Sequence, residues 1–235
     1  MARGTVASLH RWPVKSLAGE PVGAFSFDGR GVAGDRAHAL FHDHKAAARR
    51  LTIRLAPRML LWRASYADEP RLGEAPAPRI TAPDGRAFAW DDPALPRALH
   101  DDLGKEVTLR SDAALMQDLP CSLLVTTQAT LDAVSRALGR ELDLRRFRTN
   151  VHVVLDAPAF AEEGWEGRRL RIGDHVLDLL HPCERCVIPT RDPDTAEKHA
   201  DVLRWLTREH RGLFGINARA PEPGRIAVGD AVELL

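Results

Sequence analysis

The sequence predicts an α+β fold, mostly β, built from two closely packed halves. Short runs of alternating apolar and polar residues recur along the chain and are separated by Gly, Pro and Asp. Helical periodicity is confined to three short segments. In the second half, two phrases place Gly-Asp between alternating apolar runs, at 169–180 and 225–235. A pair of such hairpins is typical of a small antiparallel barrel or sandwich.

The first half is rich in predicted β-strands. These lie at residues 5–11, 22–27, 38–41, 58–66, 78–82 and 86–90. Asp84-Gly85 predicts a tight turn that joins the last two strands as a hairpin. Residues 95–103 predict a short helix that ends at Gly104.

The second half alternates strands with two helices. Strands are predicted at 122–125 and 151–155, in addition to the two Gly-Asp hairpins. Apolar residues at helical spacing predict a helix that starts after Thr127 and ends at Gly139. A last helix is predicted over 195–210, with Asp194 as its cap and Gly212 after its end. We therefore expect two domains, 1–110 and 111–235.

Composition narrows the class of function. Lys and Arg together number 33, as do Asp and Glu, so the net charge is zero and gives no overall attraction to nucleic acid or membrane. An anionic ligand therefore needs a local cluster of cations. Three cysteines are too few for a disulfide scaffold, and no apolar run is long enough to span a bilayer. These features lead us to expect a cytoplasmic protein.

Three glycines, Gly29, Gly31 and Gly34, have the spacing of a dinucleotide-binding loop. That function requires a helix directly after the loop. Here Asp35-Arg36 and a predicted strand follow, which argues against it.

The segment 181–190 contains two cysteines, Cys183 and Cys186, with Arg185 between them. A thiolate is a nucleophile and a soft-metal ligand, and a neighbouring cation lowers the thiol pKa below its free value of about 8.5. A structural zinc site usually needs a second such pair, which the chain lacks. A redox dithiol opens a helix, whereas Pro189 interrupts one here. Two inert packed thiols and a reactive or metal-bound thiolate both remain open.

Cations recur at the edges of predicted strands and in loops, at Lys15, Arg36, Arg148 and Arg185. Each could be an ordinary solvated side chain. Arg148 and Asn150 are two residues apart and can reach the same side, and a guanidinium binds phosphate through two parallel hydrogen bonds. A phosphate-bearing cofactor with a soft metal would use both the thiolate and these cations.

Five phrases in this order resemble the MOSC family, which is named after the C-terminal domain of molybdenum cofactor sulfurase. They are Trp12-Pro-Val-Lys-Ser-Leu-Ala-Gly19, Gly34-Asp-Arg36, Arg146-Phe-Arg-Thr-Asn150, Pro182-Cys-Glu-Arg-Cys186 with Asp192-Pro-Asp-Thr195, and Phe214-Gly-Ile-Asn217. The chain is similar to members with an added N-terminal β domain, such as the mitochondrial amidoxime-reducing components and their bacterial relatives. The resemblance implies an N-terminal β-barrel-like domain packed on a MOSC β-barrel with a few flanking helices. The family is also associated with pyridoxal phosphate binding.

The resemblance implies a molybdenum cofactor, molybdenum held by a pterin dithiolene. Carried over to this sequence, the metal ligand is Cys186. We expect Cys183 to pack nearby without binding the metal, and Cys121 to be a thiol of the core. The cofactor contacts fall on Lys15, Ser16, Arg36, Arg148, Asn150, Glu184 and Arg185, with Asp118 as a candidate for relaying a proton in catalysis. The chain departs from the family pattern at two positions. Glu184 stands where serine is frequent and adds a carboxylate beside an anionic cofactor, and Thr149 stands where proline is usual.

The activity implied by the resemblance is the reduction of small N-hydroxylated compounds. The electrons must come from a separate ferredoxin- or flavin-type protein, because three cysteines cannot supply the four thiolates of an all-cysteine iron–sulfur cluster. Two alternatives stay open: a sulfur carrier that uses a Cys186 persulfide, and a cofactor-binding module without turnover.

Overall fold

The computed structural model describes residues 2–44, 47–112 and 123–235. Its strands are β1 (Arg3–Arg11), β2 (Glu20–Val22), β3 (Ala24–Asp28), β4 (Gly31–Val32), β5 (His38–His44), β6 (Ala47–Arg50), β7 (Arg63–Ser65), β8 (Arg79–Thr81), β9 (Ala87–Ala89), β10 (Thr108–Ser111), β11 (Leu123–Thr127), β12 (Val151–Leu155), β13 (Arg169–Ile172), β14 (His175–Glu184), β15 (Leu213–Arg219), β16 (Gly224–Ala227) and β17 (Ala231–Leu234). Its helices are α1 (Leu95–Leu103), α2 (Gln128–Ala137) and α3 (Ala200–His210). The predicted class, α+β and mostly β, is confirmed.

A closed seven-stranded barrel forms the larger part of the molecule. Its strands follow the order β12-β11-β15-β14-β13-β17-β1, and β1 pairs with β12 to close the ring. Alternate residues of these strands point inward and form one apolar core. That core includes Val6, Val125, Val153, Leu170 and Ile216. Because β1 belongs to this barrel, the two halves of the chain share a sheet, and the boundary at residue 110 stays a prediction.

A second apolar core lies beside the barrel. Two three-stranded sheets, β10-β5-β6 and β7-β8-β9, surround it, and α1 packs against it. Trp62, Leu40 and Met59 are its large buried side chains. Gly85 makes the predicted turn between β8 and β9, with a φ of 88°. Both that hairpin and the helix that ends at Gly104 are confirmed.

A third apolar cluster lies under α2 and α3. Phe147 and Phe214 stack there with their ring centroids 3.6 Å apart, and Val134, Val202 and Leu206 pack around them. Phe147 immediately precedes Arg148, so this cluster holds the segment that carries a predicted site residue.

The prediction of a strand over 58–66 is wrong in its first part. Residues Pro57–Leu61 form a turn of 3-10 helix, and only Arg63–Ser65 is a strand. Pro57 is at the start of this turn, where a backbone N–H would have no acceptor within the helix, so the lack of an N–H in proline costs nothing. Met59 and Leu60 are buried by that turn, so their apolar character reflects a buried helical turn and not a strand.

The prediction of a C-terminal hairpin is also wrong. The turn itself exists, since Gly229 has a φ of 93° and the amide of Asp230 donates to Ala227 O at 3.2 Å. However, β16 pairs with β3, and β17 pairs with β1 and β13. The turn therefore passes the chain from a small sheet into the barrel.

The last helix starts later than predicted, at Ala200 instead of residue 195. The carboxylate of Asp194 does not cap it but accepts hydrogen bonds from Arg145 at 2.6 and 2.9 Å. Residues 192–199 instead form a loop whose amides at Asp194 and Thr195 donate to Asp192 Oδ1. Among the described residues, no helix is long and apolar enough to cross a membrane.

Candidate anion-binding cleft

A cleft of about 610 Å³ opens where the barrel meets the second core. Its walls come from the segment after β1, the turn before β5, the segment after β6, the turn before β12, and the segment after β14. The lining residues are Lys15, Ser16, Arg36, Arg50, Thr52, Ile53, Arg54, Leu124, Phe147, Arg148, Asn150, Cys183, Glu184, Arg185, Cys186, Val187, Ile188 and Asn217.

Trp12 is the buried anchor that brings three of these segments together. Its backbone amide donates to Asp35 Oδ1 at 2.7 Å, and its carbonyl accepts from the amide of Arg36 at 2.7 Å. Its indole Nε1 donates to Thr149 O at 2.9 Å. Segments that are far apart in sequence are thereby held at one end of the barrel.

Three lining residues have a left-handed backbone conformation. The φ angles are 71° at Ser16, 51° at Arg36 and 50° at Arg148. Within the described part of the chain they are three of six non-glycine residues with positive φ. Such conformations cost about 1–3 kcal/mol each and concentrate at functional sites. Here they turn a serine and two arginines toward the same cavity.

Arg148 is a buried cation with no carboxylate partner among the described residues. One of its nitrogens donates to Leu17 O at 2.7 Å, and its guanidinium lies 4.3 Å from the centre of the Trp12 ring. The other terminal nitrogen, Nη2, is buried without a hydrogen-bond partner. Burial, followed by the charge of Arg36, lowers the pKa of Arg148 to about 9. Arg148 therefore carries its charge at a free-energy cost that a bound anion would relieve.

Arg185 contacts the first cysteine of the pair. Its Nη1 lies 3.0 Å from Cys183 Sγ, and its Nη2 donates to Phe147 O at 2.7 Å. Its Nε is buried without a partner. The guanidinium thus spans from the thiol segment to the segment that carries Arg148.

Cys186 is a free, exposed thiol in the cleft, whereas Cys183 is half-buried. A thiolate at Cys186 is close enough to raise the pKa of Arg148, which partly offsets the effect of burial. No cluster of three or more His, Cys, Asp or Glu side chains is found within the residues that the structure describes.

Arg36 differs from Arg148 and Arg185 because it has a carboxylate partner among the described residues. It pairs with the buried carboxylate of Asp35, and its Nη2 donates to Arg148 O at 3.3 Å. Asp35 accepts from both Arg36 and Trp12, so it fixes the turn that carries Arg36.

Eight residues predicted as cofactor contacts or as metal ligand line this single cleft: Lys15, Ser16, Arg36, Arg148, Asn150, Glu184, Arg185 and Cys186. Asp118 and Cys121 lie outside the described residues. Asn150 is already engaged, since its Oδ1 accepts from the Leu124 amide at 3.1 Å and its Nδ2 donates to His10 O at 3.3 Å. Glu184 is exposed at the end of β14. The binding roles of all eight stay predictions.

Two further cations of the cleft, Arg50 and Arg54, were not among the predicted site residues. Both flank the short segment after β6, where two arginines adjoin Leu51-Thr52-Ile53. The only signal was this local density of basic residues. The structural roles of Trp12 and Asp35 were also missed, although both stand inside phrases that carried the resemblance.

The Asp-Pro-Asp-Thr segment that follows the cysteines supports the cleft without lining it. Asp192 Oδ2 accepts from the buried Arg146 at 2.6 Å, and Asp194 pairs with Arg145. These ion pairs tie the loop after the cysteines to the segment that leads into Arg148.

Comparison with known proteins identifies related sequences. A family model described as the MOSC domain matches residues 115–233, and one described as the MOSC N-terminal beta barrel domain matches residues 3–91. Mitochondrial amidoxime reducing component 2 from Homo sapiens is 31% identical over 125 residues, which cover 48% of this chain and 36% of that protein. The match thus spans about a third of the human relative. The Macaca fascicularis protein of the same name is 26% identical over 280 residues, covering 97% of this chain and 83% of that protein.

One solved structure extends the similarity to the whole fold. The YUAD protein from Bacillus subtilis superposes with a TM-score of 0.53 at 13% sequence identity, over 100% of this chain and 97% of that chain. At this identity the likeness concerns the fold alone.

Proposed function

Because this chain belongs to the MOSC family, we propose that it binds the molybdenum cofactor in the cleft and reduces small N-hydroxylated compounds. The observation that carries the proposal is the proximity of an exposed thiol, Cys186, to the buried guanidinium of Arg148 and the half-buried guanidinium of Arg185 in one cleft. Each guanidinium has one buried nitrogen without a partner, Arg148 Nη2 and Arg185 Nε. A buried cation without a counterion is costly, and the cost is relieved when an anion binds.

The residues present suit the cofactor in charge and in donor type. Lys15, Arg36, Arg50, Arg54, Arg148 and Arg185 line the cleft against one carboxylate, Glu184. This concentration of positive charge occurs in a chain whose net charge is zero. The thiolate of Cys186 would suit a soft metal, and the pterin dithiolene of the cofactor would supply further sulfur donors.

In the proposed reaction an amidoxime takes up two electrons and two protons and gives an amidine and water. The bound cofactor supplies the two-electron chemistry, and the protein supplies binding and orientation. Cys186 holds the metal. Arg148 and Arg185 bind the anionic groups, and their contacts with Leu17 O and Phe147 O keep the two guanidinium planes fixed. Asp118 keeps the proposed role of proton relay.

The electrons are proposed to come from a separate ferredoxin- or flavin-type protein. The chain contains three cysteines. If Cys186 holds the cofactor metal, two remain, and a cluster held by cysteines alone requires four.

A second candidate function, sulfur transfer through a persulfide on Cys186, is favoured by the exposure of that thiol. In that case sulfur is bound to Cys186 in place of a metal, and the cations would hold the anionic acceptor.

The reduction of benzamidoxime by protein produced in a cofactor-competent host tests the proposal. With reduced methyl viologen as the donor, we expect benzamidine to form, and we expect Cys186→Ser to abolish its formation. Cys183→Ser is the matched control and should keep the activity. Sulfur released by cyanide from metal-free protein, without any benzamidine formation, would instead support sulfur transfer.

A further inference from the structure

A second cavity, of about 700 Å³, adjoins the cleft. Ile53, Arg54 and Val187 line both cavities, and Val187 directly follows Cys186 in the chain. Its volume is in the range of sites that bind small molecules, about 300–1,000 Å³. We call it the basic pocket. It is lined by Ile53, Arg54, Val187, Thr190, Arg191, Lys198, Ala200, Leu203, Arg204, Thr207 and Arg208.

One face of α3 forms a wall of the basic pocket. The lining residues Ala200, Leu203, Arg204, Thr207 and Arg208 follow the spacing i, i+3, i+4, i+7, i+8, which places them on one side of a helix. The residues that anchor α3 in its core, Val202 and Leu206, are on another side. The face of α3 that lines the basic pocket is therefore distinct from the face that packs in the core.

The charge of the basic pocket has one sign. Five of its lining residues are basic, namely Arg54, Arg191, Lys198, Arg204 and Arg208, and none of the described lining residues is acidic. Arg208 pairs with Glu209, and Arg191 Nη1 donates to Ala196 O at 3.1 Å. Arg54, Lys198 and Arg204 form no ion pair within the described chain. All three are exposed, and all three line the same concavity.

The floor of the basic pocket is apolar. Ile53, Val187 and Leu203 contribute to it, and Ile53 is buried. A cavity with an apolar floor and a few convergent charged groups is suited to a flat ligand body that ends in an anion. A protein partner would instead be expected to use a flatter and more extended surface.

We propose that the basic pocket is a substrate subsite that recognises an oxyanion, a carboxylate or a phosphate, on an N-hydroxylated substrate. This rests on the proposed function, since the N-hydroxyl group would lie at Cys186 in the adjoining cleft. Arg204 and Lys198 bind the oxyanion, and Ile53, Val187 and Leu203 contact the apolar body that links it to the reacting group.

The test compares substrates that differ only in the anion. Benzamidoxime is neutral, 4-carboxybenzamidoxime carries a carboxylate, and the 4-phosphono analogue carries a phosphonate. With the holoprotein and reduced methyl viologen, we expect at least one of the anionic substrates to have a KM at least about tenfold below that of benzamidoxime, as charge-assisted hydrogen bonds require. The anionic substrate with the lower KM shows whether the pocket prefers a carboxylate or a phosphonate.

Charge reversal at Arg204 provides the decisive variant. Arg204→Glu should raise the KM of the preferred anionic substrate at least about tenfold, with kcat and the KM of benzamidoxime changed less than about twofold. Arg204→Gln should give a smaller change in the same direction. Arg136→Glu, an equal change of charge on the exposed surface of α2, is the matched control and should change neither substrate. Equal effects on all substrates would overturn the proposal.

Two further readouts separate this inference from its competitors. Calorimetric titration of 4-carboxybenzamidoxime should show binding that Arg204→Glu weakens at least about tenfold, even if no substrate is turned over. Failure of turnover with intact binding would therefore count against the proposed function and not against the subsite. Loss of molybdenum from Arg204→Glu would overturn the subsite, because the residue would then hold the cofactor. An effect limited to assays with a protein electron donor would also overturn it and indicate a docking surface.

Discussion

Arg148→Met should leave the cofactor-free protein as stable as the wild type, or more stable. A guanidinium whose pKa falls from 12.5 to about 9 carries its charge at a cost of about 5 kcal/mol. The hydrogen bond to Leu17 O and the contact with Trp12 offset about 3–4 kcal/mol of that cost. Methionine fills similar space without the charge. The free energy of unfolding should therefore rise by about 1–2 kcal/mol or stay unchanged.

Arg11 is the matched control, because it is a buried arginine that does have a carboxylate. It pairs with Glu20 at 2.7 Å and lies 4.9 Å from the centre of the Tyr66 ring. Arg11→Met leaves the half-buried carboxylate of Glu20 without its cation, with only the Tyr66 amide still donating to it, and should cost about 3 kcal/mol. Urea denaturation of both variants, made in a host that lacks the cofactor, gives the two values. A loss of 3 kcal/mol or more in Arg148→Met would refute the view that Arg148 is kept for a ligand at the expense of stability.

Three further predictions concern the site and its support. Burial lowers the pKa values of His38 and His152 from 6.5 to about 4. The contribution of the two neutral imidazoles to stability is therefore complete above pH 6.5 and is lost as the pH falls toward 4. The free energy of unfolding, measured by urea denaturation, should drop by about 4 kcal/mol between pH 8 and pH 5, and by about half as much in His38→Gln. Glu184→Gln removes a negative charge beside the cations and should improve cofactor retention on dialysis about two- to fivefold, whereas weaker retention would indicate that the carboxylate itself contacts the cofactor. Gly215→Ala places a Cβ 2.6 Å from a backbone oxygen, at a residue whose φ is 76°, and should lower the free energy of unfolding by about 2–4 kcal/mol. In the control Gly139→Ala, φ is similar but the added Cβ meets no atom within 4 Å, and the cost should be about 1 kcal/mol.

Secondary-structure elements that depend on local backbone conformation were predicted correctly. The helix that ends at Gly104 and the turn at Gly85 both depend on a left-handed residue at a defined place. The start of α3 was misplaced because the carboxylate of Asp194 pairs with Arg145, a residue 49 positions away. The C-terminal turn was recognised, but its strands bind different partners, and a turn signal carries no information on partners.

The cleft shows the same division between local and long-range information. The thiol pair and the scattered cations, which suit an anionic cofactor that contains a metal, could be identified from the sequence alone. Their convergence depends on Trp12, which joins the turns at Asp35 and Thr149 through three hydrogen bonds. The lack of a partner at Arg148 Nη2 could not be predicted, because it depends on every group packed around that atom.

The molybdenum content per chain decides whether Cys186 anchors a molybdenum cofactor in the cleft. Protein from a cofactor-competent host should contain about one molybdenum atom per chain, Cys183→Ser should keep it, and Cys186→Ser should fall below about a tenth of it, because a single thiolate anchors the metal to the protein. Circular dichroism of the three proteins controls for folding. Full molybdenum in Cys186→Ser, or its loss from Cys183→Ser alone, would contradict the assignment of Cys186 as the ligand.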